Sequence, residues 1–151
     1  MGFEEGQKRE MEFRRQMIAM DGERDLNKVS EKIIGCAYKV ANTLGAGFLE
    51  KVYENALAHE IRKAGLSVEQ QAGCKVVYDG VVVGDYFADL LVENCVLVEL
   101  KVVKELDPVH MVQCLNYLRA TSLSLCLLIN FYRPKIEIRR VVNNFGNPGT
   151  G

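Results

Sequence analysis

Gly84-Asp85-Tyr86-Phe87-Ala88-Asp89-Leu90-Leu91-Val92-Glu93-Asn94-Cys95-Val96-Leu97-Val98-Glu99-Leu100-Lys101 reads as two apolar strands joined by a turn at Glu93-Asn94, with charges where burial makes them costly. In an extended segment side chains alternate between faces, so Asp85, Phe87 and Asp89 share one face and Glu99 shares one with Lys101. Val96, Val98, Leu100 and Val102 form the other face of the second strand, and Leu97 and Val103 are apolar as well. A strand apolar on both sides belongs in the middle of a sheet covered by helices. A glutamate buried there, two residues from a lysine, needs a partner. Either Glu99 and Lys101 neutralise each other, or both face a cleft that holds something charged. A divalent cation fits the second case, because Mg²⁺ takes one or two carboxylates and leaves its remaining positions to water and phosphate. Asp89 on the preceding strand could supply the second carboxylate.

Working upstream, Val81 to Val83 and Lys75 to Tyr78 are β-like runs joined by Asp79-Gly80, a tight hairpin signal, and Ser67 to Gln71 is a further short run. Two helices precede them. From Asp25, a reasonable N-cap, the positions Leu26, Val29, Ile33, Ala37, Val40 and Leu44 recur at three- and four-residue steps. Gly45-Ala46-Gly47 ends that helix. The next begins near Phe48, buries Leu49, Val52, Tyr53, Ala56, Leu57 and Ile61, and closes at Ala64-Gly65. Glu50 sits in its first turn, where a carboxylate complements the helix dipole whatever else it does, and Tyr53 and Glu54 share its face.

Downstream, Asp107-Pro108 starts a helix with aspartate at the cap and proline at the first helical position. His110, Gln113 and Tyr117 fall on one face of it. Thr121-Ser122 ends it, Leu123 to Phe131 is a continuous apolar strand, and the strand-helix-strand unit predicts a crossover between parallel strands. Arg133-Pro134 turns into a last strand, Lys135 to Val142. The expected class is α/β (α+β), a central mixed sheet flanked by helices in the order α-α-β-β-β-β-α-β-β. The expected domain spans residues 25–142. Residues 1–24 are a charged, flexible extension in which Met11, Met17 and Met20 offer later starts, and residues 143–151 are a Gly/Asn/Pro-rich disordered tail.

Composition sets outer bounds. The chain has 151 residues, 48% apolar and 26% charged, which suits one soluble domain with a core of its own. A net charge of −1 provides no global positive field, so any nucleic-acid contact must be local. Five cysteines with only two histidines offer no zinc spacing. They read as buried thiols of a reducing cytoplasm. No apolar run is long enough to span a membrane, and none resembles a signal peptide.

Gly47-Phe48-Leu49-Glu50-Lys51-Val52-Tyr53 matches the Gly-x-x-Glu-x-x-Tyr phrase of the prokaryotic GxxExxY proteins. Asp89 followed by Glu99-x-Lys101 resembles the core signature of the restriction-endonuclease-like, or PD-(D/E)xK, nuclease superfamily that contains them. The resemblance runs from about Leu26 to Val142. It implies a Mg²⁺- or Mn²⁺-dependent nuclease, with Asp89, Glu99 and Lys101 as its core and Glu50 as a further acidic group. Asp89, Glu99 and Glu50 would hold metal. Gln113 and Tyr117 resemble a Gln-x-x-x-Tyr motif that lies beside the active site in related nucleases, and His110 joins them as a substrate-positioning candidate. One departure is that Ala88 replaces the superfamily's proline. The implied partner is nucleic acid, DNA ahead of RNA, and cutting both strands would suit a homodimer. Two alternatives share the fold: a non-catalytic nucleic-acid-binding or regulatory module using Lys101, Lys104, Arg119, Arg133, Lys135, Arg139 and Arg140, and a structural or protein-interaction domain with Glu99 and Lys101 as a buried ion pair.

Overall fold

A computed structural model describes residues 5–11 and 23–143. Residues 5–11 are helical (α1). Then follow α2 (Glu23–Leu44), α3 (Glu50–Lys63), β1 (Val68–Tyr78), β2 (Val81–Val92), β3 (Val96–Lys101), α4 (Pro108–Thr121), β4 (Leu125–Asn130) and β5 (Glu137–Val142). The five strands form one sheet in sequence order, β1-β2-β3-β4-β5. Every neighbouring pair is antiparallel except β3 and β4, which are parallel and joined through α4. This is the mixed sheet flanked by helices that the apolar runs predict.

Local chemistry sets the boundaries. Asp79 and Gly80 both take positive φ, the backbone that a two-residue hairpin needs to follow strand twist, and Glu93 and Asn94 take it in the turn closed by the Cys95 amide donating to the Val92 carbonyl at 3.0 Å. Asp107 caps α4 and accepts a hydrogen bond from the Val109 amide at 3.0 Å. Ser122, left-handed at φ 59°, closes that helix. Helix α2 is already formed at Glu23, so Asp25 lies inside it and is not its cap. The runs at Ser67–Gln71 and Lys75–Tyr78 join into one strand, β1. The other expectations for residues 1–24, including the start choices at Met17 and Met20, and those for the tail lie mostly outside the described residues.

The sheet separates two apolar layers. On one side α2 and α3 pack Ile33, Val40, Tyr53, Leu57 and Ile61 against Leu90, Val92, Val96, Val98, Leu100, Leu127 and Ile129. On the other, Cys114, Tyr117 and Leu118 of α4 meet Ala72, Ala88, Leu91, Leu97, Cys126 and Leu128. All five cysteines are buried. Among the described residues no helix is long and apolar enough to cross a membrane.

The Gly-x-x-Glu-x-x-Tyr phrase has a structural explanation. Gly45 and Gly47 take φ of 72° and 106°, a region that side-chain-bearing residues rarely adopt. The loop they allow is clamped from below by Tyr53, whose hydroxyl donates to the Gly45 carbonyl at 2.7 Å and accepts from the Phe48 amide at 3.2 Å. The Tyr53 ring is fully buried and stacked on Phe131, centroids 4.8 Å apart. Glu50 opens the helix immediately after this clamped loop, so its position depends on the tyrosine. Tyr53→Phe keeps the ring and removes both bonds. The expected cost is about 1–2 kcal/mol, read as a lower urea midpoint with an unchanged m-value.

Candidate active site

Strands β2 and β3 pair only through Leu90–Val98, Leu91–Leu97 and Val92–Val96. Beyond Leu90 the backbone ladder stops, and two carboxylates take over its role. The Asp89 amide donates to Glu99 Oε1 at 3.0 Å, and the Leu100 amide donates to Asp89 Oδ2 at 2.8 Å. Each acid thus satisfies an amide beside the other that would otherwise be orphaned inside the protein. The alternation of β2 breaks at the same place. Ala88 packs in the α4 layer, whereas Leu90, two residues on, packs in the α2–α3 layer. The single face expected for Asp85, Phe87 and Asp89 therefore does not continue regularly through Asp89, because the strand twists away from its neighbour there.

Gln71 lies beside this break with φ 51°, a left-handed backbone unusual for a residue with a side chain. Its Nε2 donates to Asp89 Oδ1 at 3.2 Å and to Glu54 Oε1 at 2.7 Å. Glu54 is 3% exposed. Its other oxygen accepts from Gln70 Nε2 and from Lys51 Nζ, both at 2.7 Å. A relay of hydrogen bonds thus runs from α3 through β1 to Asp89.

The electrostatics mark the same spot. Burial, reinforced by the Asp89 charge, pushes the Glu99 carboxyl up to about 9. Burial likewise raises Asp89, against the pull of the Leu100 amide and Gln71. Glu50 remains solvent-exposed at the start of α3, yet partial desolvation and then Asp89 raise it, with Lys101 acting in the opposite direction. Lys101 lowers all three carboxyls. On α4, burial and then Glu99 push the Tyr117 phenol up to about 12. Gln113 Nε2 donates to the Tyr117 hydroxyl at 3.1 Å, and Tyr86 meets the Tyr117 ring edge-on at 5.5 Å.

Glu50, Asp89, Glu99 and Lys101, drawn from three elements, therefore share one electrostatic field, with Gln113 and Tyr117 alongside. His110 has a different engagement: its Nδ1 accepts from the Asp107 amide at 3.1 Å and completes the capping box of α4. Sequence reasoning did not select Glu54, Gln70 or Gln71. Glu54 carried a signal, one turn beyond Glu50 on the same helical face. The glutamines carried none, since only the left-handed backbone at Gln71 turns its side chain toward the acids.

The donor set suits a hard divalent cation, all oxygen and anionic. Relief of the burial penalty on all three carboxyls, and of the repulsion that Asp89 exerts on Glu50 and Glu99, is what such an ion would supply. Among the described residues no three acidic, histidine or cysteine side chains converge closely enough to enclose a metal by themselves. That is compatible with a site of one or two carboxylates completed by water and phosphate.

A family profile described as the PD-(D/E)XK nuclease superfamily matches residues 27–141. The chain belongs to this superfamily. Neither curated proteins nor solved structures gave a match.

Proposed function

We propose that this protein is a metal-dependent nuclease that hydrolyses phosphodiester bonds in DNA or RNA, of the GxxExxY type within its superfamily. The supporting observation is the reciprocal bonding of Asp89 and Glu99 at the point where β2 and β3 part, within the field of Glu50 and Lys101. Asp89 and Glu99 would hold Mg²⁺ or Mn²⁺, with Glu50 bound directly or through water. Such an ion polarises a phosphate oxygen and promotes ionisation of a bound water.

The protein's own residues do the rest. The two backbone amides occupy one oxygen of each carboxylate, so Glu99 Oε2 and the Gln71-bonded Asp89 Oδ1 would be the oxygens available to hold the ion. Lys101, two residues beyond Glu99, would orient the attacking water and neutralise charge building on the phosphate. Tyr117, kept protonated well above neutral pH and fixed by Gln113, is a hydroxyl donor for a neighbouring phosphate oxygen. The Leu97, Cys114 and Leu118 layer beneath excludes water from the closed side.

Cleavage of labelled DNA and RNA oligonucleotides is expected with Mg²⁺ or Mn²⁺ and not with EDTA. Lys101→Ala should lower the rate by at least about a hundredfold, the scale of losing one electrostatic stabiliser. Metal-dependent cleavage that survives Lys101→Ala at the wild-type rate would refute the assignment.

A further inference from the structure

A second charged feature lies next to the site and is not used by it. Where β5 begins, a cavity of about 430 Å³ is lined by Lys104, Arg133, Lys135 and Arg139 together with the carboxylates of Glu105 and Glu137, with Asn130 in its wall. All four cations are exposed. Arg139 pairs with Glu137 at 2.9 Å. Among the described residues no ion pair engages Lys104, Arg133 or Lys135. The framework behind them is firm. Asn130 is 4% exposed; its Oδ1 accepts from the Val103 and Tyr132 amides at 3.1 and 3.2 Å, and its Nδ2 donates to the Val103 carbonyl at 2.7 Å. It therefore ties the loop carrying Lys104 to the loop carrying Arg133 and Lys135.

Its location relates it to the acids. Asn130 is the register partner of Lys101, and adjacent strands lie about 4.8 Å apart, so the cavity begins one strand beyond the lysine of the site. Tyr132 precedes the cavity's Arg133 in the chain and is 43% exposed, with the Arg133 guanidinium 6.0 Å from its ring centroid. An exposed aromatic ring beside a hollow where cations outnumber carboxylates is the combination that binds single-stranded nucleic acid, with a base stacked on the ring and backbone phosphate among the cations.

We infer that the cavity among Lys104, Arg133 and Lys135, with Tyr132 beside Arg133, is a subsite for an unpaired segment of the substrate strand next to the bond that is cut. The inference deepens the nuclease reading by naming the form of nucleic acid this side accepts. The charges in the cavity hold a phosphate that is not cleaved, and Tyr132 takes a base that a duplex would keep stacked internally.

Binding without cleavage tests it separately from the chemistry. Full-length protein is titrated in EDTA, by fluorescence anisotropy, into a labelled single-stranded DNA oligonucleotide, a single-stranded RNA and a blunt DNA duplex, at several salt concentrations. Single strands are expected to bind more tightly than the duplex. Lys104→Gln, Arg133→Gln and Lys135→Gln combined should lower the slope of log affinity against log salt by about 0.7 for each phosphate that is no longer neutralised. Tyr132→Ala should weaken single-strand binding about tenfold, and Tyr132→Phe should restore it. These residues are exposed, and an unchanged thermal midpoint verifies folding.

Unchanged affinity and salt slope in the triple variant would overturn the subsite and leave the charges as protection for the edge strand. Equal loss of duplex and single-strand binding in Tyr132→Ala would overturn its single-strand character. If the wild type fails to cleave anything while the variants still lose single-strand binding, the subsite stands and the nuclease reading falls.

Discussion

Glu99→Gln is expected to abolish metal-dependent cleavage while making the protein more stable at neutral and alkaline pH. The two effects share one cause. Glu99 is 5% exposed, and burial together with the Asp89 charge pushes its carboxyl up to about 9, from an ordinary value of 4.5. The unfolded chain ionises this group near its ordinary value, so between these two pH values the folded state retains a proton that the unfolded state has released. Stability from this group is therefore fully present below about pH 4.5 and is lost as pH rises toward about 9, by up to about 1.4 kcal/mol for each pH unit. Glutamine is neutral in both states and still offers an oxygen to the Asp89 amide. It removes the penalty and keeps the bond.

Thermal melts at pH 5, 7 and 8 should show wild type and Glu99→Gln converging at the acidic end and separating by several degrees at pH 8, with the variant higher. Added Mg²⁺ should narrow the gap by stabilising the wild type alone, since only the wild type can release the proton and present an anion. Cleavage should fall by three orders of magnitude or more. A variant less stable than wild type at pH 8 would show that Glu99 is ionised in the free protein and held in a buried ion pair with Lys101. This trade of stability for function is common where an active site gathers like charges.

The fold was largely legible because its signals are local. Alternating apolar runs, the Asp79-Gly80 and Glu93-Asn94 turns and the Asp107-Pro108 cap each determine a few residues of backbone, and their order determines the sheet. Asp89, Glu99 and Lys101 were legible for a different reason: charge in a strand otherwise apolar on both sides must be satisfied or used. What could not be read was how the acids are satisfied. The exchange of bonds between Asp89 and Glu99 needs β2 and β3 to part after Leu90, and no residue between Asp89 and Glu99 announces that divergence. Gln71 was hidden similarly, since a glutamine gives no warning of a left-handed φ. Tyr53 was assigned to the buried stripe of its helix. That placement is right, but its hydroxyl looks outward to hold the glycine loop that sets the start of α3. His110 matched the pattern of Gln113 and Tyr117, and the capping box that occupies its Nδ1 arises from the same spacing.

The relay behind Asp89 carries the second large effect. Glu54 is 3% exposed and accepts three side-chain bonds of 2.7 Å, from Lys51, Gln70 and Gln71. Glu54→Ala leaves the Gln70 and Gln71 amides without their anionic acceptor and opens a void between α3 and β1. Loss of one member of a buried charged network costs about 3–5 kcal/mol, enough to lower the urea midpoint markedly. Glu54→Gln fills the space but retains one acceptor oxygen where three donors converge, so its cost should be smaller and not zero. The consequence for function follows through Gln71, which bonds Glu54 with one hydrogen and Asp89 with the other. Without Glu54 the Gln71 side chain loses its reason to hold a strained backbone against Asp89, and one oxygen of the proposed metal-binding pair loses its orientation. Residues that support metal ligands in this way typically alter metal affinity by about tenfold to a hundredfold. Calorimetric titration of Mg²⁺ into Glu54→Gln, which stays folded, should show weaker binding of that order, with Lys51→Ala nearly unaffected because its bond reaches the solvent-facing side of the relay. Equal Mg²⁺ affinity in wild type and Glu54→Gln would reduce the relay to a structural tie between α3 and β1.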